Sequence, residues 1–295
     1  MIQAFLDYLS YERNRSQLTV EAYEADLRDF EQFFSQKDNT LTWQSVDEDM
    51  IRAWMEEMMD RRLKASSVRR RLSALRSFFR FAQSRELLQR NPTARIRSPK
   101  MERQLPQFLK EEELTRLFAE EIAPDDFTAV RNRAILLMFY STGMREAELL
   151  HLSDEDIDFS EQQLKVTGKR NKQRIIPFGT ELCQALLNYK NVRARKFPQQ
   201  SARFFLSDKG LAMSVSQVYN IVKSELTKVT TMKKRSPHVL RHSFATDMLN
   251  HGASLEGVRK LLGHASLSTT QIYTHTTFEQ LRDSYQKAHP REKKE

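Results

Sequence analysis

The sequence predicts a mainly helical protein of two domains, the first all-helical and the second helical around a small antiparallel sheet. Three observations carry that prediction. Apolar residues recur at helical spacing through the first 90 residues, as at Tyr23, Leu27, Phe30 and Phe34. A basic, proline-dotted segment, NPTARIRSPKMERQLP, then follows Arg90, and proline at that density resists both helix and strand. Beyond it, the stretch IDFSEQQLKVTGKRNKQRIIPF alternates apolar and polar residues about a polar turn, as a β-hairpin does. The expected domains are therefore 1–85 and 107–295, joined by a basic linker at 86–106.

In the first domain, Thr19 is the expected N-cap of the helix that buries Tyr23, Leu27, Phe30 and Phe34. A helix over 47–62 carries Ile51, Trp54, Met55, Met58 and Met59, a stripe that reads as core filler. The next helix starts after Ser66 and runs to about residue 84, with Val68, Leu72, Leu75 and Phe79 inward. Arg69, Arg76 and Arg80 share a neighbouring face of it, placed to track phosphates. In the second domain the pattern predicts helices at 111–122, 128–142, 180–196, 214–228, 237–251 and 254–262, and another near the C-terminus.

Composition bounds the function. Of 295 residues, 39% are hydrophobic and 29% charged, which suits a folded globular chain. No run of roughly 18 apolar residues is present to span a membrane. The first residues lack the basic start and apolar core of a secretory signal. The single cysteine, Cys183, permits no intrachain disulfide, and together these features predict a cytoplasmic protein. The net charge of +9 is unevenly spread: residues 1–60 hold 5 Lys/Arg against 14 Asp/Glu, whereas 61–100 hold 13 against the lone Glu86. So concentrated a basic stretch is expected to face a polyanion, and the charge of the linker suggests that it runs along DNA.

Chemistry-bearing residues gather in TGMREAEL (142–149), TGKRNKQR (167–174), SPHVLRHSFAT (236–246) and LLGHASLSTTQIYTH (261–275). Singly, an Arg opening a helix is commonly an ion-pair partner, a turn Lys is solvated, and a late Tyr is half-buried core. His238 and Arg241 say more, because they lie three apart at a helix start opened by Ser236 and Pro237. The free N–H groups of such a terminus favour an anion. A metal site is not expected: His238 and His242 form an H-x-x-x-H pair, but Val239 stands where a zincin needs Glu. Gly168-Lys169 lacks the glycine loop of a nucleotide-binding turn, and Cys183 in CQALL reads as core.

In order, residue type and spacing, the set Arg145, Lys169, His238, Arg241, His264 and Tyr273 resembles the catalytic set of the tyrosine recombinases. The boxes TGMREAEL, HVLRHSFAT, LGHASLSTT and IYTH are similar to that family's own, and the resemblance spans nearly the whole chain. Met144 stands where Leu is usual, and Arg170 and Gln173 alter the familiar GKGNKER hairpin. The length and the ending STTQIYTHTTFEQLRDSYQKAHPR are similar to the bacterial Xer group. The resemblance implies a helical core-binding domain followed by an α+β catalytic domain. It also implies strand exchange by a tetramer that includes a second, XerD-like recombinase, and resolution of chromosome dimers at cell division. The alternatives are the integrase or resolvase of a mobile element, a catalytically idle DNA-binding protein, and a type IB topoisomerase, the last disfavoured by length.

The implied roles fit the chemistry of a phosphodiester. Arg145 and Arg241 can clamp the non-bridging oxygens with forked hydrogen bonds. Tyr273 is the nucleophile, with an ordinary pKa near ~10, and His238 is the candidate base. Lys169 is the candidate acid for the departing 5′-oxygen, and His264 braces the phosphate. No cofactor is expected, since a phosphotyrosyl link conserves the broken bond. The tail after the nucleophile, with Phe278, Leu281 and Tyr285 in an apolar stripe, is expected to dock on a neighbouring subunit.

Overall fold

The structure is a computed structural model that describes residues 1–100, 107–168, 172–199 and 201–263, together with Tyr285 and residues 288–290. It divides into two compact units, Met1–Gln104 and Leu105–Glu295.

In the first unit, α1 (Ile2–Asp7) runs into a π-helical turn, Tyr8–Glu12, and is followed by α2 (Gln17–Lys37), α3 (Glu48–Asp60) and α4 (Ala65–Ser84). The N-cap of α2 is Ser16, not Thr19. Ser16 has extended backbone, and the hydroxyls of the two residues lie 2.8 Å apart, so the helix starts about one turn earlier than expected. At α3 the Asp47 carboxylate accepts the Met50 N–H at 2.8 Å, as an N-cap should.

The apolar faces of these helices meet in an aromatic core of Phe5, Phe30, Phe34, Trp43, Trp54, Phe78 and Phe79. Ring centroids of Trp43 and Phe78 are 4.4 Å apart and those of Phe30 and Trp54 4.9 Å apart. A polar knot joins α2 to α4 beside this core. Asp26 is buried and accepts Arg70, while Asp29 accepts Trp54 Nε1 at 3.0 Å and Arg71 at 2.6 Å. Burial raises the Asp26 pKa, and Arg70 beside it opposes that rise without cancelling it. Two of the positive charges of α4 therefore serve the fold.

The segment expected to be pure linker starts as part of this unit. Leu88 and Ile96 bury into the core, and Asn91 Oδ1 accepts the Thr93 N–H at 3.0 Å in a tight turn. Arg76 donates to Ser98 Oγ at 3.0 Å and to the Ile96 carbonyl. Two apolar anchors hold a stretch whose prolines alone suggest a free connection.

In the second unit the helices are α5 (Glu111–Ala119), α6 (Phe127–Thr142), α7 (Glu146–His151), α8 (Thr180–Lys196), α9 (Val215–Val229), α10 (Pro237–Asn250) and α11 (Leu255–Leu262). Helix α6 is its axis: every residue from Ala134 to Thr142 is buried, and α8, α9 and α10 pack around it. A helix apolar on all sides belongs at a domain centre. Asp126 caps its start through the Thr128 and Ala129 N–H groups, and Gly143 ends it in the left-handed region. The sheet has three antiparallel strands, β1 (Ile157–Asp158), β2 (Gln163–Thr167) and β3 (Gln173–Pro177), one more than the expected hairpin. Leu164 pairs with Ile176 and Val166 with Arg174. Directly paired residues share a face, so Arg174 lies on the same side as the buried Val166.

Of the tail residues singled out above, Tyr285 is buried in its own unit. It stacks on His289 at 5.0 Å, and His289 in turn lies 5.3 Å from the Tyr140 ring. The expectation of docking on a neighbour does not hold for Tyr285, whose aromatic partners lie within its own unit. Phe278 and Leu281 lie outside the described residues. Among the described residues, no helix is long and apolar enough to cross a membrane.

The aromatic core yields a test. Phe78 is fully buried and touches Phe5, Trp43 and Phe79. Phe78→Ala should destabilise the first unit by about 3–5 kcal/mol. Both tryptophans of the chain, Trp43 and Trp54, lie in that unit, so urea unfolding followed by tryptophan fluorescence reads its stability selectively.

Candidate active site

Two chain reversals build the site. Helix α6 ends at Gly143 with φ +58°, and α11 ends at Gly263 with φ +63°. Both require the left-handed conformation that glycine adopts without a Cβ penalty. At Gly143 a Cβ would also stand 2.4 Å from Phe244 and 2.7 Å from Leu262, so the α6 end and the α11 end are packed together by the absence of a side chain.

A helix terminus leaves its last carbonyls without intrahelical partners and carries a partial negative charge. At α11 each of these carbonyls is accounted for. Lys260 O accepts the Gly263 N–H at 3.1 Å. The next three are taken by three different guanidiniums: Leu261 O by Arg174 Nε at 2.7 Å, Leu262 O by Arg241 Nη2 at 2.7 Å, and Gly263 O by Arg145 Nη2 at 2.9 Å. Arg241 also donates from Nη1 to Gly143 O, so it bridges the ends of α6 and α11.

One carboxylate binds this cluster together. Glu148, at the third position of α7, accepts the Arg145 backbone N–H at 2.7 Å and Arg145 Nη1 at 2.9 Å. It also receives both terminal nitrogens of Arg174, at 2.8 and 2.9 Å. Burial of Glu148 opposes its ionisation, but the hydrogen bonds from Arg174 and Arg145 outweigh that and hold its pKa below the ordinary value. Three cations therefore face one carboxylate and two helix ends. The Arg241 pKa is pushed down to about 10, first by burial and then by Arg145 beside it. The group stays charged at neutral pH, and a net positive potential remains.

Neither candidate clamp arginine is used up. A guanidinium has five N–H donors in a planar fork, and bonds to described residues take two from the Arg241 side chain and two from that of Arg145. Arg241 is 7% exposed, whereas the Arg145 side chain is 38% exposed. One arm is thus deep and fixed, the other open.

His238 precedes Arg241 by one turn at the start of α10, an exposed residue between the buried Pro237 and Val239. Its pKa is lowered by partial desolvation first, then by the charges of Lys234, His242, Arg241 and Arg145. His242 is lowered as well, by desolvation and then by Arg241 and Lys234. Ser236 occupies the cap position with extended backbone, but its side chain makes no capping bond, and its buried Oγ has no hydrogen-bond partner among the described residues.

Of the six residues singled out in the sequence, the structure brings Arg145, His238 and Arg241 together. Lys169, His264 and Tyr273 lie outside the described residues. Chain order puts His264 directly after Gly263, whose carbonyl Arg145 holds. The candidate phosphate-tracking residues belong to the first unit: Arg69 and Arg80 are exposed on α4, whereas Arg76 is half-buried against Ile96 and Ser98. Sequence reasoning missed Glu148 and Arg174. The available signal for Glu148 was its place three residues after Arg145, at the N3 position of a capping box. For Arg174 no local signal exists.

Comparisons with known proteins place the chain in a family. The model of the phage integrase family matches residues 107–280, and that of the phage integrase N-terminal SAM-like domain matches residues 2–86. The tyrosine recombinase XerC of Pediococcus pentosaceus is 39% identical over 99% of this chain and 98% of its own length. That of Chlorobaculum tepidum is 38% identical over 97% of this chain and 93% of its own. In fold, the chain is similar to a XerH site-specific recombinase solved on its difH substrate before cleavage. That likeness has a TM-score of 0.69 at 24% identity, covering 96% of this chain and 84% of that one. With both domain models matched in order and full-length relatives near two-fifths identity, the chain belongs to the phage integrase family and is a tyrosine recombinase.

Proposed function

We propose that this recombinase is of the XerC type. It cuts and rejoins a double-stranded DNA site in the cytoplasm, in a tetramer with a second, XerD-like recombinase, and resolves chromosome dimers at cell division. The observation that carries the chemistry is the convergence of Arg145 and Arg241, from two helices, on adjacent carbonyls just before His264. Their remaining N–H donors suit the non-bridging oxygens of a scissile phosphate, whose charge grows during attack.

In this reading the Tyr273 oxygen attacks phosphorus and its proton passes to neutral His238. The bond from phosphorus to the 5′-oxygen breaks, and that oxygen takes a proton from Lys169. The products are a 3′-phosphotyrosyl link and a free 5′-hydroxyl. Rejoining is the reverse, with a 5′-hydroxyl attacking and Tyr273 leaving. One ester replaces another at each step, so no nucleotide is consumed, and His264 helps to hold the phosphate. Arg69 and Arg80 of α4 face the DNA backbone. Arg76 contributes by fixing the start of the linker to α4.

The nucleophile is tested directly. Tyr273→Phe should bind its site with unchanged affinity and give no covalent adduct on a nicked suicide substrate. An adduct on a denaturing gel with this variant removes the assignment.

The lowered pKa of His238 fixes the sign of a pH effect. Below its ordinary 6.5 the group resists protonation, so cleavage should persist as pH falls past 6.5 and be lost only further down. Lys234→Ala removes a cation that depresses this pKa. It should therefore move the acid limb of the single-turnover rate to higher pH, and an acid limb that survives unchanged in His238→Gln excludes His238 as the base.

The DNA-facing role of α4 is read from salt dependence. Arg69→Ala with Arg80→Ala should flatten the log–log slope of DNA binding by about 1.8, near 0.9 per lost phosphate contact. Arg76→Ala should flatten it less while loosening the packing of Ile96, seen as faster amide exchange there.

A further inference from the structure

Arg174 has no role in the mechanism above, yet its guanidinium is the most fully engaged of the three. It grips both oxygens of Glu148 and the carbonyl of Leu261. The side chain is 14% exposed and Glu148 is 3% exposed, so these bonds sit away from solvent, where charge-assisted pairs are strongest. Each partner of Arg174 is one link from a clamp arginine. Glu148 Oε1 is shared between Arg174 Nη1 and Arg145 Nη1. Leu261 O is the carbonyl next to Leu262 O, which Arg241 holds.

The backbone around Arg174 is built to keep it there. Its place opposite Val166 on the inner face of β2–β3 aims the side chain at α11, against which β3 packs. A Cβ at Gly263 would meet the Arg174 guanidinium at 3.0 Å, so the glycine that ends α11 leaves the room this group fills. Without Arg174, Glu148 would be a buried carboxylate served by Arg145 alone, and its pull on Arg145 would change. The α11 end would lose one of its three guanidinium partners.

We infer that Arg174 is a positioning residue for strand cleavage: through Glu148 and the α11 carbonyls it sets the two clamp guanidiniums, Arg145 and Arg241, at the spacing the scissile phosphate requires. The inference rests on the clamp reading of Arg145 and Arg241. Arg174 touches no substrate in this scheme and acts only through those two groups.

The test is a double-mutant cycle in the full-length protein, read as the single-turnover rate of covalent complex formation on a suicide substrate. Arg174→Lys keeps the charge but cannot span two carboxylate oxygens and a carbonyl at once. It should slow cleavage on the order of 10- to 100-fold, as small misplacements of reacting groups do, with DNA affinity and melting temperature close to wild type. In an Arg145→Lys background the same change should add less than about twofold, because residues that act as one unit are not additive. Defects that multiply in the double variant overturn the inference, as does a rate loss accompanied by a matching loss of melting temperature. Wild-type cleavage by Arg174→Lys beside an impaired Arg145→Lys overturns the inference alone. Wild-type cleavage by Arg145→Lys removes the clamp reading, and this inference with it. If Arg174→Lys does not fold, Arg174→Gln, a planar donor without charge, takes its place under the same criteria.

Discussion

The grasp of three consecutive carbonyls at the end of α11 by three guanidiniums is the interaction on which the second unit's chemistry depends. Arginines so close repel one another, and one carboxylate, Glu148, cannot neutralise three of them. The balance is made by backbone: the partial negative ends of α11 and α6 face the same cluster. Backbone dipoles cannot be titrated, and they move only if the helix moves. The cluster therefore keeps a surplus of positive charge in a fixed place, as a site for an anion must, without the Coulomb cost of an unsupported buried cation.

That arrangement explains why both glycines stand where they do. Gly143 and Gly263 turn the chain so that its carbonyls point back toward the arginines, and the missing Cβ atoms let Phe244, Leu262 and Arg174 close in. It also explains the order of burial. Arg241 bridges two helix ends and is nearly sealed, so its position is set by the fold, whereas Arg145, though held by Glu148 and the Gly263 carbonyl, stays open to solvent. The cluster thus pairs a deep guanidinium, fixed by the fold, with one that stays open to solvent.

How much of this was legible in the sequence differs by residue. Periodicity placed the long helices well, because α2, α4, α6, α8, α9 and α10 each carry many turns of pattern. It missed the six-residue α7, which is too short to display a period, although α7 carries Glu148. The boxes around Arg145 and Arg241 were readable because their residues are close in sequence to recognisable neighbours. Arg174 was not, because its partners are 26 and 87 residues away and nothing local distinguishes it from other strand cations. Arg76 misled in the opposite way. Its spacing from Arg69 and Arg80 puts it on their face, but a neighbouring carbonyl and hydroxyl capture it. Helical spacing tells which side a residue occupies and not what it meets there.

The clamp's bonds also carry a schedule. Arg174 reaches Leu261 across 87 positions, Arg241 reaches Gly143 across 98, and Arg145 reaches Gly263 across 118. Contacts so distant along the chain form late, since the entropy of closing large loops comes before any reward. During synthesis, at roughly 5–20 residues per second, the helices of the first unit are complete long before residue 263 leaves the ribosome. A nascent or truncated chain can therefore present a finished α4 while Arg145 and Arg241 still lack the carbonyls that hold them. Under the proposed reading, the helix that would meet the DNA backbone is thus finished early, and the guanidinium cluster that would hold the scissile phosphate is completed last.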